Sequence, residues 1–538
     1  MVAHHLEVER KFEMLDLTRP TPDMTWKIAG FTAQTPVVED LDATYFDTDT
    51  QTLGRHKVAL RRRTGGYDQG WHIKFDAAGG RHEVTFDLGE GDHIPEAVTD
   101  FLAPVLLNEI VEPAVSLLTR RVRTVITSQG GADIAEICDD SVTATDFSTG
   151  IERRWHEWEI ELLDGGVEDS DSAQQVFEAV EKLLREAGAA PSTSSAKIAR
   201  ALGADAEFEA RRISQLGLET NPKTGIFPAP TDKTVVLPAA HLLTDILQGF
   251  IVKLAQADLL IRAGVPDTTH QGRVAARQLR SVIKFMAQPY AKDADSKALL
   301  KGLADGLKTY AHELEPHRNG ELIADLLAEG LENLPAGSPV HPEALEQLLV
   351  AEDTAHLEKA LAYITSVTRR DLQADLVQAG RDITEYCDLP LNPDNYINKV
   401  AKRLRKKLAK QMASLVAELP QDPQGRASAA HLDEQVHDVR KLAKATRYSL
   451  SAIRSAGGEL TDGQQELLRL AKTMQGQQGK LTDQNTLGAW LLGHQGTLEH
   501  LTLGYLLGRS DLTAETIRLV VSASISQQLL DLKKIRLS

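Results

Sequence analysis

The sequence predicts an α+β multidomain chain. Strands fill an N-terminal domain over 1–205, a linker follows over 206–235, and an all-α bundle with two related halves runs over 236–538. Three observations predict this. Apolar residues alternate in period two in the first part, whereas Leu, Ala, Arg and Lys recur every three or four residues after Pro238. The stretch Asn221-Pro-Lys-Thr-Gly-Ile-Phe-Pro-Ala-Pro-Thr231 breaks the two patterns apart. The charge divides nearby: residues 1–200 carry 20 Lys and Arg against 36 Asp and Glu, and the rest carries 40 against 41.

Composition bounds the answer. The 538 residues allow roughly three to four domains. Apolar residues at 42% and charged residues at 25% are globular values, which exclude a wholly disordered or fibrous chain. Cys138 and Cys387 are the two cysteines. Two are too few for a disulfide framework, a cysteine zinc site or a CxxC pair, and a reducing compartment is the natural reading. The first residues show no apolar signal core. No apolar run approaches ~18 residues, so no membrane partner is expected. A soluble, cytoplasmic protein is predicted.

In order, the strands are Leu6–Phe12, Val58–Arg63, His72–Lys74, His82–Phe86, Arg121–Ile126 and Trp155–Leu162. Glycine pairs at 65–66, 79–80 and 130–131 separate them. Val176–Ala187 is predicted as an amphipathic helix, and a second helical stretch covers 195–216. The later helices include His241–Arg262, Gln271–Met286, Asn398–Leu419, Val436–Ile453 and Ala514–Ile535.

The strands carry charge on one face again and again. Glu7, Glu9 and Lys11 alternate, as do Arg61 and Arg63, Arg81 and Glu83, Arg121 and Arg123, and Glu157, Glu159 and Glu161. Alternate residues share a sheet face. The opposite face, with Val8, Leu60, Val122, Trp158 and Ile160, reads as core. A solvated face with cross-strand ion pairs explains any one strand. It does not explain five, because carboxylates at period two repel one another and so do paired arginines. A site for divalent cations and a polyanion explains all five. Carboxylates hold Mg²⁺ or Mn²⁺, and guanidinium forks clamp phosphate oxygens.

These residues also resemble a family. Glu7-Val-Glu-Arg-Lys11 is similar to the ExExK signature of the CYTH, or triphosphate tunnel metalloenzyme, superfamily. Tyr45-Phe-Asp-Thr48, Leu60-Arg-Arg-Arg63, Trp71-His-Ile-Lys74, Arg121 with Arg123, Glu157-Trp-Glu-Ile-Glu161 and Ser195-Ala-Lys197 follow in the family's order. The resemblance covers about 1–205. It implies an antiparallel barrel of about eight strands around a charged tunnel that hydrolyses triphosphates. Glu7 and Glu9, with Glu157, Glu159 and Glu161, would bind metal. Arg61, Arg63, Lys74, Arg81, Arg121, Arg123 and Lys197 would grip phosphates. Lys11 would lie near the scissile end, making Lys11, Glu7 and Glu9 the catalytic set. Asp139 and Asp140 both compete for one further acidic position, and the alignment leaves that choice open.

In the second half, His270, Arg273, Arg277, Arg280 and Lys284 are spaced 3, 4, 3 and 4, which is one helix face. His437, Arg440, Lys444 and Arg447 repeat the first four positions 167 residues later, with Lys441 beside them. Lys399–Lys410 holds seven bases and no acid, among them Lys399, Arg403, Lys406, Lys407 and Lys410. Like charges at these spacings cost roughly 0.2–0.5 kcal/mol per pair, which a bound polyanion relieves. A solvated face is the plain alternative. Aromatics, at 5% of the chain, argue against stacked nucleic acid. Ala and Leu beside the bases, rather than Trp or Phe, argue against a membrane surface. The HxxR segments at His270 and His437 resemble the CHAD domain over about 236–510, and that resemblance implies a helical bundle that binds inorganic polyphosphate. Gln278 and Ala445-Thr446 depart from its pattern.

The expected function is metal-dependent hydrolysis of inorganic triphosphate in the tunnel, with polyphosphate bound by the helical half and association with polyphosphate granules. A thiamine triphosphatase or an adenylate cyclase on the same barrel, and a non-enzymatic polyphosphate scaffold, are the rivals. Gly476-Gln-Gln-Gly-Lys480 fails as a P-loop, since the glycines are wrongly placed and Leu481 follows the Lys.

Overall fold

A computed structural model describes residues 3–14, 25–77, 80–89, 91, 93–192, 196–203, 238–332, 343–418 and 429–537. The expected linker over 206–235, Ser195, and the end of the helical stretch over 195–216 lie outside them. The chain divides into two compact units, one mainly of strands and one of helices.

The strands are β1 (Ala3–Glu7), β2 (Glu9–Met14), β3 (Phe31–Ala33), β4 (Val37–Asp47), β5 (Val58–Thr64), β6 (Gly70–Ala77), β7 (Gly80–Phe86), β8 (Glu112–Ser128), β9 (Asp133–Asp146), β10 (Glu152–Leu162) and β11 (Ala189–Pro191). They pair in the order β1-β7-β6-β5-β4-β8-β9-β10-β2-β11, with β3 on β8. Every pairing is antiparallel. β1 and β2 are one strand broken at Val8, so the path returns to its start and the sheet closes. The Val8 carbonyl accepts from Leu162 N–H at 3.0 Å. With β1 and β2 counted together and the short β3 and β11 set aside, the barrel has the eight staves expected. Val8 departs from the expected core face: it is 38% exposed, because the break frees it from the alternation.

Period two sorts the barrel. On β10, Trp158 and Ile160 face outward. They pack with Phe12 and Ile137 under helix α4 (Ser170–Glu186), whose Ala173, Val176, Phe177, Val180 and Leu184 form one apolar stripe. Asp169 caps this helix by accepting from Ser172 N–H at 3.1 Å. The other parity points inside. There, Tyr45, Val115, Leu117, Val142 and Trp155 form an apolar plug with Ala201 of α5 (Lys197–Ala201). The earlier short helices are α1 (Thr52–Arg55), α2 (Glu96–Leu106) and α3 (Asp164–Glu168).

The helical unit contains α6 (Ala239–Arg262), α7 (Thr268–Val282), α8 (Ala294–Glu313), α9 (Glu315–Glu332), α10 (Glu343–Ile364), α11 (Val367–Arg381), α12 (Ile383–Tyr386), α13 (Pro393–Glu418), α14 (Ala429–Ser455), α15 (Asp462–Gly493) and α16 (His500–Lys534). The helix expected over 271–286 ends at Val282 and continues as a π turn, Ile283–Ala287, which carries Lys284. The repeated helices α7 and α14 pack together, and both contribute to one continuous core. Among the described residues no helix is long and apolar enough to cross a membrane.

Candidate active site and anion-binding groove

The inward parity places His5, Glu9, Lys11, Arg61, Arg63, Lys74, Arg81, Arg121, Glu159 and Glu161 on the wall of one cavity, which Lys197 enters from the start of α5. Glu7, Asp140, Glu157 and Arg123 contact these residues or others of the lining.

Two clusters divide the charge. In the first, Lys11 Nζ lies 2.6 Å from Glu159 and 3.1 Å from Glu9. Lys197 reaches Glu157 and Glu159 at 2.7 Å and Asp140 at 3.1 Å. Arg121 grips Asp140 through Nε at 2.8 Å and Nη2 at 2.7 Å, and touches Glu159 at 3.0 Å. Burial alone would discharge Lys11, but Glu159 and Glu9 outweigh it and hold its pKa up. Lys197 is likewise held well above the ordinary lysine value against burial by Glu157, Glu159 and Asp140. Burial pushes Glu159 and Asp140 toward the neutral form. Lys11 and Lys197 overcome this at Glu159, and Arg121 and Lys197 overcome it at Asp140, so both stay below the usual carboxylate range.

In the second cluster, Glu7 bonds Lys74 and lies 3.2 Å from Arg81 Nε. Glu83 gathers His72 at 2.7 Å, His5 at 3.2 Å, Lys74 at 3.4 Å and Arg61 at 3.5 Å. Glu161 is pushed up to about 7 by burial; Lys74 opposes this, and Glu7, Glu9 and Glu136 add to it. Ligand atoms of His5, Glu7 and Glu161 all lie within 4.8 Å of one another. Arg63 pairs with Asp68, and burial with Arg61 and Arg121 brings its pKa down to about 9. Arg123 lies 3.4 Å from Glu136 and stacks over Tyr67.

The expected metal ligands therefore part company. Glu157, Glu159 and Asp140 are taken up by Lys11, Arg121 and Lys197. Asp139 does not join them: it faces the opposite side of β9, where its Oδ1 lies 2.6 Å from His156 Nε2. One residue of register reverses the face, which separates Asp139 from Asp140. Glu7 and Glu161, with Glu9 beside them, fit a divalent cation. Their carboxylates lie close enough to add to the burial that raises Glu161, and Glu7 is shared with Lys74 and with Arg81. Oxygen donors of this kind suit Mg²⁺ or Mn²⁺.

Sequence reasoning gave no role to His5, Tyr45, His72, Glu83 and Glu136, although it had placed Glu83 on the charged face and Tyr45 and His72 within family motifs. Four of them stand two residues from a residue in the expected set or four from Asp140, so carrying the alternation one step further finds them. Tyr45 required the barrel, since its phenol is drawn down, against burial, by Arg61 and Lys197 from other elements.

In the helical unit, α7 and α14 bring the repeated bases face to face. Arg277 is close enough to Arg440 and Lys444 to depress both, after burial. Lys444 falls to about 7. Arg273 is not on a solvated face: it is buried and bonds Glu315 at 2.7 Å. Lys284 lies beside Arg280 and Lys407, and Arg403 donates to the Phe285 carbonyl at 3.1 Å. Lys399, Lys406 and Lys410 are exposed along α13, and Lys441 turns to Asp438 at 3.0 Å. His270 Nδ1 accepts from Arg318 at 2.9 Å. Burial and Arg318 lower the pKa of His270, while burial and Lys441 lower that of His437. Arg447 Nε, Arg280 Nε and Arg273 Nη1 are buried without hydrogen-bond partners. Arg318 and Asp483 were missed, since they approach from other helices and no local pattern marks them.

Comparison with known proteins agrees with this division. The CYTH domain model matches residues 5–201 and the CHAD domain model matches 245–492. The chain is a CYTH domain followed by a CHAD domain. An uncharacterized protein of Mycobacterium tuberculosis strain H37Rv is 28% identical over 467 residues, spanning 84% of this chain and 83% of the relative. The CHAD domain of the plant Ricinus communis is 18% identical, covers 57% of this chain and 98% of its own, and superposes with a TM-score of 0.40. A Hippeastrum protein described as an adenylyl cyclase with a dominant triphosphatase activity is 16% identical, covers 37% and 96%, and gives a TM-score of 0.22.

Proposed function

We propose that the tunnel hydrolyses inorganic triphosphate to pyrophosphate and phosphate with Mg²⁺ or Mn²⁺, and that the groove between α7 and α14 binds inorganic polyphosphate. One observation carries the first part: a single cavity holds phosphate-gripping bases and, beside them, a carboxylate group suited to a divalent cation. Phosphoryl transfer needs positioning and charge neutralisation above all. Arg61, Arg63, Arg81 and Arg121 supply fixed forks for equatorial oxygens. Lys11, charged and tethered by Glu9 and Glu159, sits where it can meet an outgoing phosphate oxygen. Bound at Glu7 and Glu161, the cation would neutralise phosphate charge and lower the pKa of a water. Among the described lining residues the aromatics are Tyr45, Tyr67 and His side chains, and Tyr45 and Tyr67 are engaged by Arg61 and Arg123. That favours a bare anion over a nucleotide. The unpartnered guanidinium nitrogens of α7 and α14 support the second part, since buried donors without acceptors are costly.

The test is phosphate release from triphosphate, ATP, thiamine triphosphate and long polyphosphate, with either metal and with a chelator. Metal-dependent release greatest on triphosphate is expected. Glu7→Gln and Glu9→Gln should abolish it while circular dichroism is unchanged. Turnover retained in both variants refutes the assignment.

A further inference from the structure

His5 is the one nitrogen donor among the described ligand atoms of the carboxylate group, and no phosphate clamp needs it. Its Nε2 lies 3.9 Å from Glu161 Oε1 and 3.2 Å from Glu83 Oε2. The alternation that brings Glu7 inward brings His5 inward on the same strand. The second observation is Glu7 itself: its side chain is 1% exposed, and one of its oxygens lies within 4.8 Å of ligand atoms of both His5 and Glu161, although Lys74 and Arg81 also hold it. We propose that His5 is a ligand of the cation held by Glu7 and Glu161, and that its imidazole turns this site toward Mn²⁺ and away from Mg²⁺. The proposal rests on the reading of this cluster as a divalent-cation site.

The chemistry follows from the donors. Mg²⁺ demands oxygen ligands in near-ideal octahedral geometry and gives up water reluctantly. Imidazole suits the later divalent ions, whose affinity for nitrogen rises along the first row from Mn²⁺. Binding requires His5 Nε2 to exchange Glu83 for the ion. Glu83 loses little by this, because His72, Lys74 and Arg61 still surround it. His5 is half exposed, so its ring can make this small move without displacing core.

The test uses the full chain without substrate. Mn²⁺ and Mg²⁺ are titrated calorimetrically into the wild type, His5→Ala and Glu161→Gln, with thermal midpoints checking the fold. His5→Ala should weaken Mn²⁺ about tenfold or more, since even groups behind a ligand are worth roughly 10–100-fold. It should change Mg²⁺ by less than about threefold. Glu161→Gln should weaken both ions. The echo-modulation spectrum of bound Mn²⁺ should show a directly coordinated ¹⁴N that His5→Ala removes. Equal losses of both ions in His5→Ala, an unchanged ¹⁴N signal, or a wild type that binds neither ion each overturns the proposal. A wild type that binds Mn²⁺ through His5 yet releases no phosphate would instead sink the hydrolase reading and leave this one standing.

Discussion

The tunnel and the groove both concentrate Lys and Arg, yet, with Arg63 as the exception, the shifted bases of the tunnel lean the opposite way from those of the groove. In the tunnel, Lys11, Lys197 and Arg121 are held more firmly charged than in water, because each shares buried carboxylates. In the groove, Arg273, Arg440, Lys284 and Lys444 are all pushed toward losing their protons, by burial and by neighbouring bases, with Glu315 on Arg273 and Asp483 near Arg440 and Lys444 opposing the shift only in part. A paired site keeps a fixed geometry whether or not anything is bound, as a site that positions a reacting phosphate requires. An unpaired one stores repulsion that any long anion relieves along its length. The difference separates an enzyme-like cavity from a binding surface.

The sharpest way to break this contrast is to remove the hub of the paired site. Glu159→Gln leaves Lys11 without its nearest partner and thins the shell around Lys197 and Arg121. Taking one partner from a buried ion pair costs about 3–5 kcal/mol. The variant's strand unit should lose that much in denaturant unfolding. Lys444→Gln, its counterpart in the groove, removes repulsion and should leave stability unchanged or raised. Equal destabilisation by both would show that the two sites do not differ in this way.

The same contrast explains how much of the molecule was legible in the sequence. Strand alternation is local, so Glu7, Arg61, Arg121 and Glu159 declared a common interior before any fold was known. The two-helix repeat was equally local. What escaped were contacts made by closure. Alternation alone could not tell Asp139 from Asp140 without the register of β9 against β10, which sets Glu157 opposite Asp140. Nor could it single out Glu7 and Glu161 as the two carboxylates that meet His5. In the helical unit, Arg318 and Asp483 enter from α9 and α15, and side chains that meet across helices carry no mark in a linear pattern. The π turn after Val282 also escaped the pattern, although Pro289, which cannot bond back to the Phe285 carbonyl, stands just beyond it.

A smaller effect tests the unpaired groove through pH. Lys444, at about 7 in the folded chain, faces Arg440, Arg277 and Arg447, with Asp483 as the opposing acid. Its ordinary value is 10.5. The folded chain thus releases this proton near neutrality while the unfolded chain keeps it, so stability rises with pH between those values. Polyanion affinity runs the other way, because the bound phosphate favours the protonated amine. Polyphosphate affinity should fall by roughly two- to fivefold as pH rises through 7, the worth of one partly screened ion pair. Lys444→Arg should flatten that dependence. A wild-type affinity with no slope between pH 6 and 8 would place Lys444 outside the binding surface.

The smallest expected effect isolates Asp483. This carboxyl is pushed up by burial, with Arg440, Lys444 and Arg318 drawing it back toward charge. When ionised it is the counter-ion that a polyphosphate bound as proposed would displace, and it would repel each phosphate. Asp483→Asn removes that repulsion but also leaves Lys444 less charged, and the two changes oppose one another. Placing the substitution in a Lys444→Arg background removes the second, since a guanidinium stays protonated throughout. There, at pH 7 and low salt, Asp483→Asn should tighten polyphosphate binding about two- to threefold, the scale of one exposed ion pair. The gain should shrink as salt is raised, because screening weakens a half-buried carboxylate's reach. Weaker binding would mean that Asp483 orders Arg440 and Arg318 more than it competes for them, and the groove would then be a preorganised site like the tunnel.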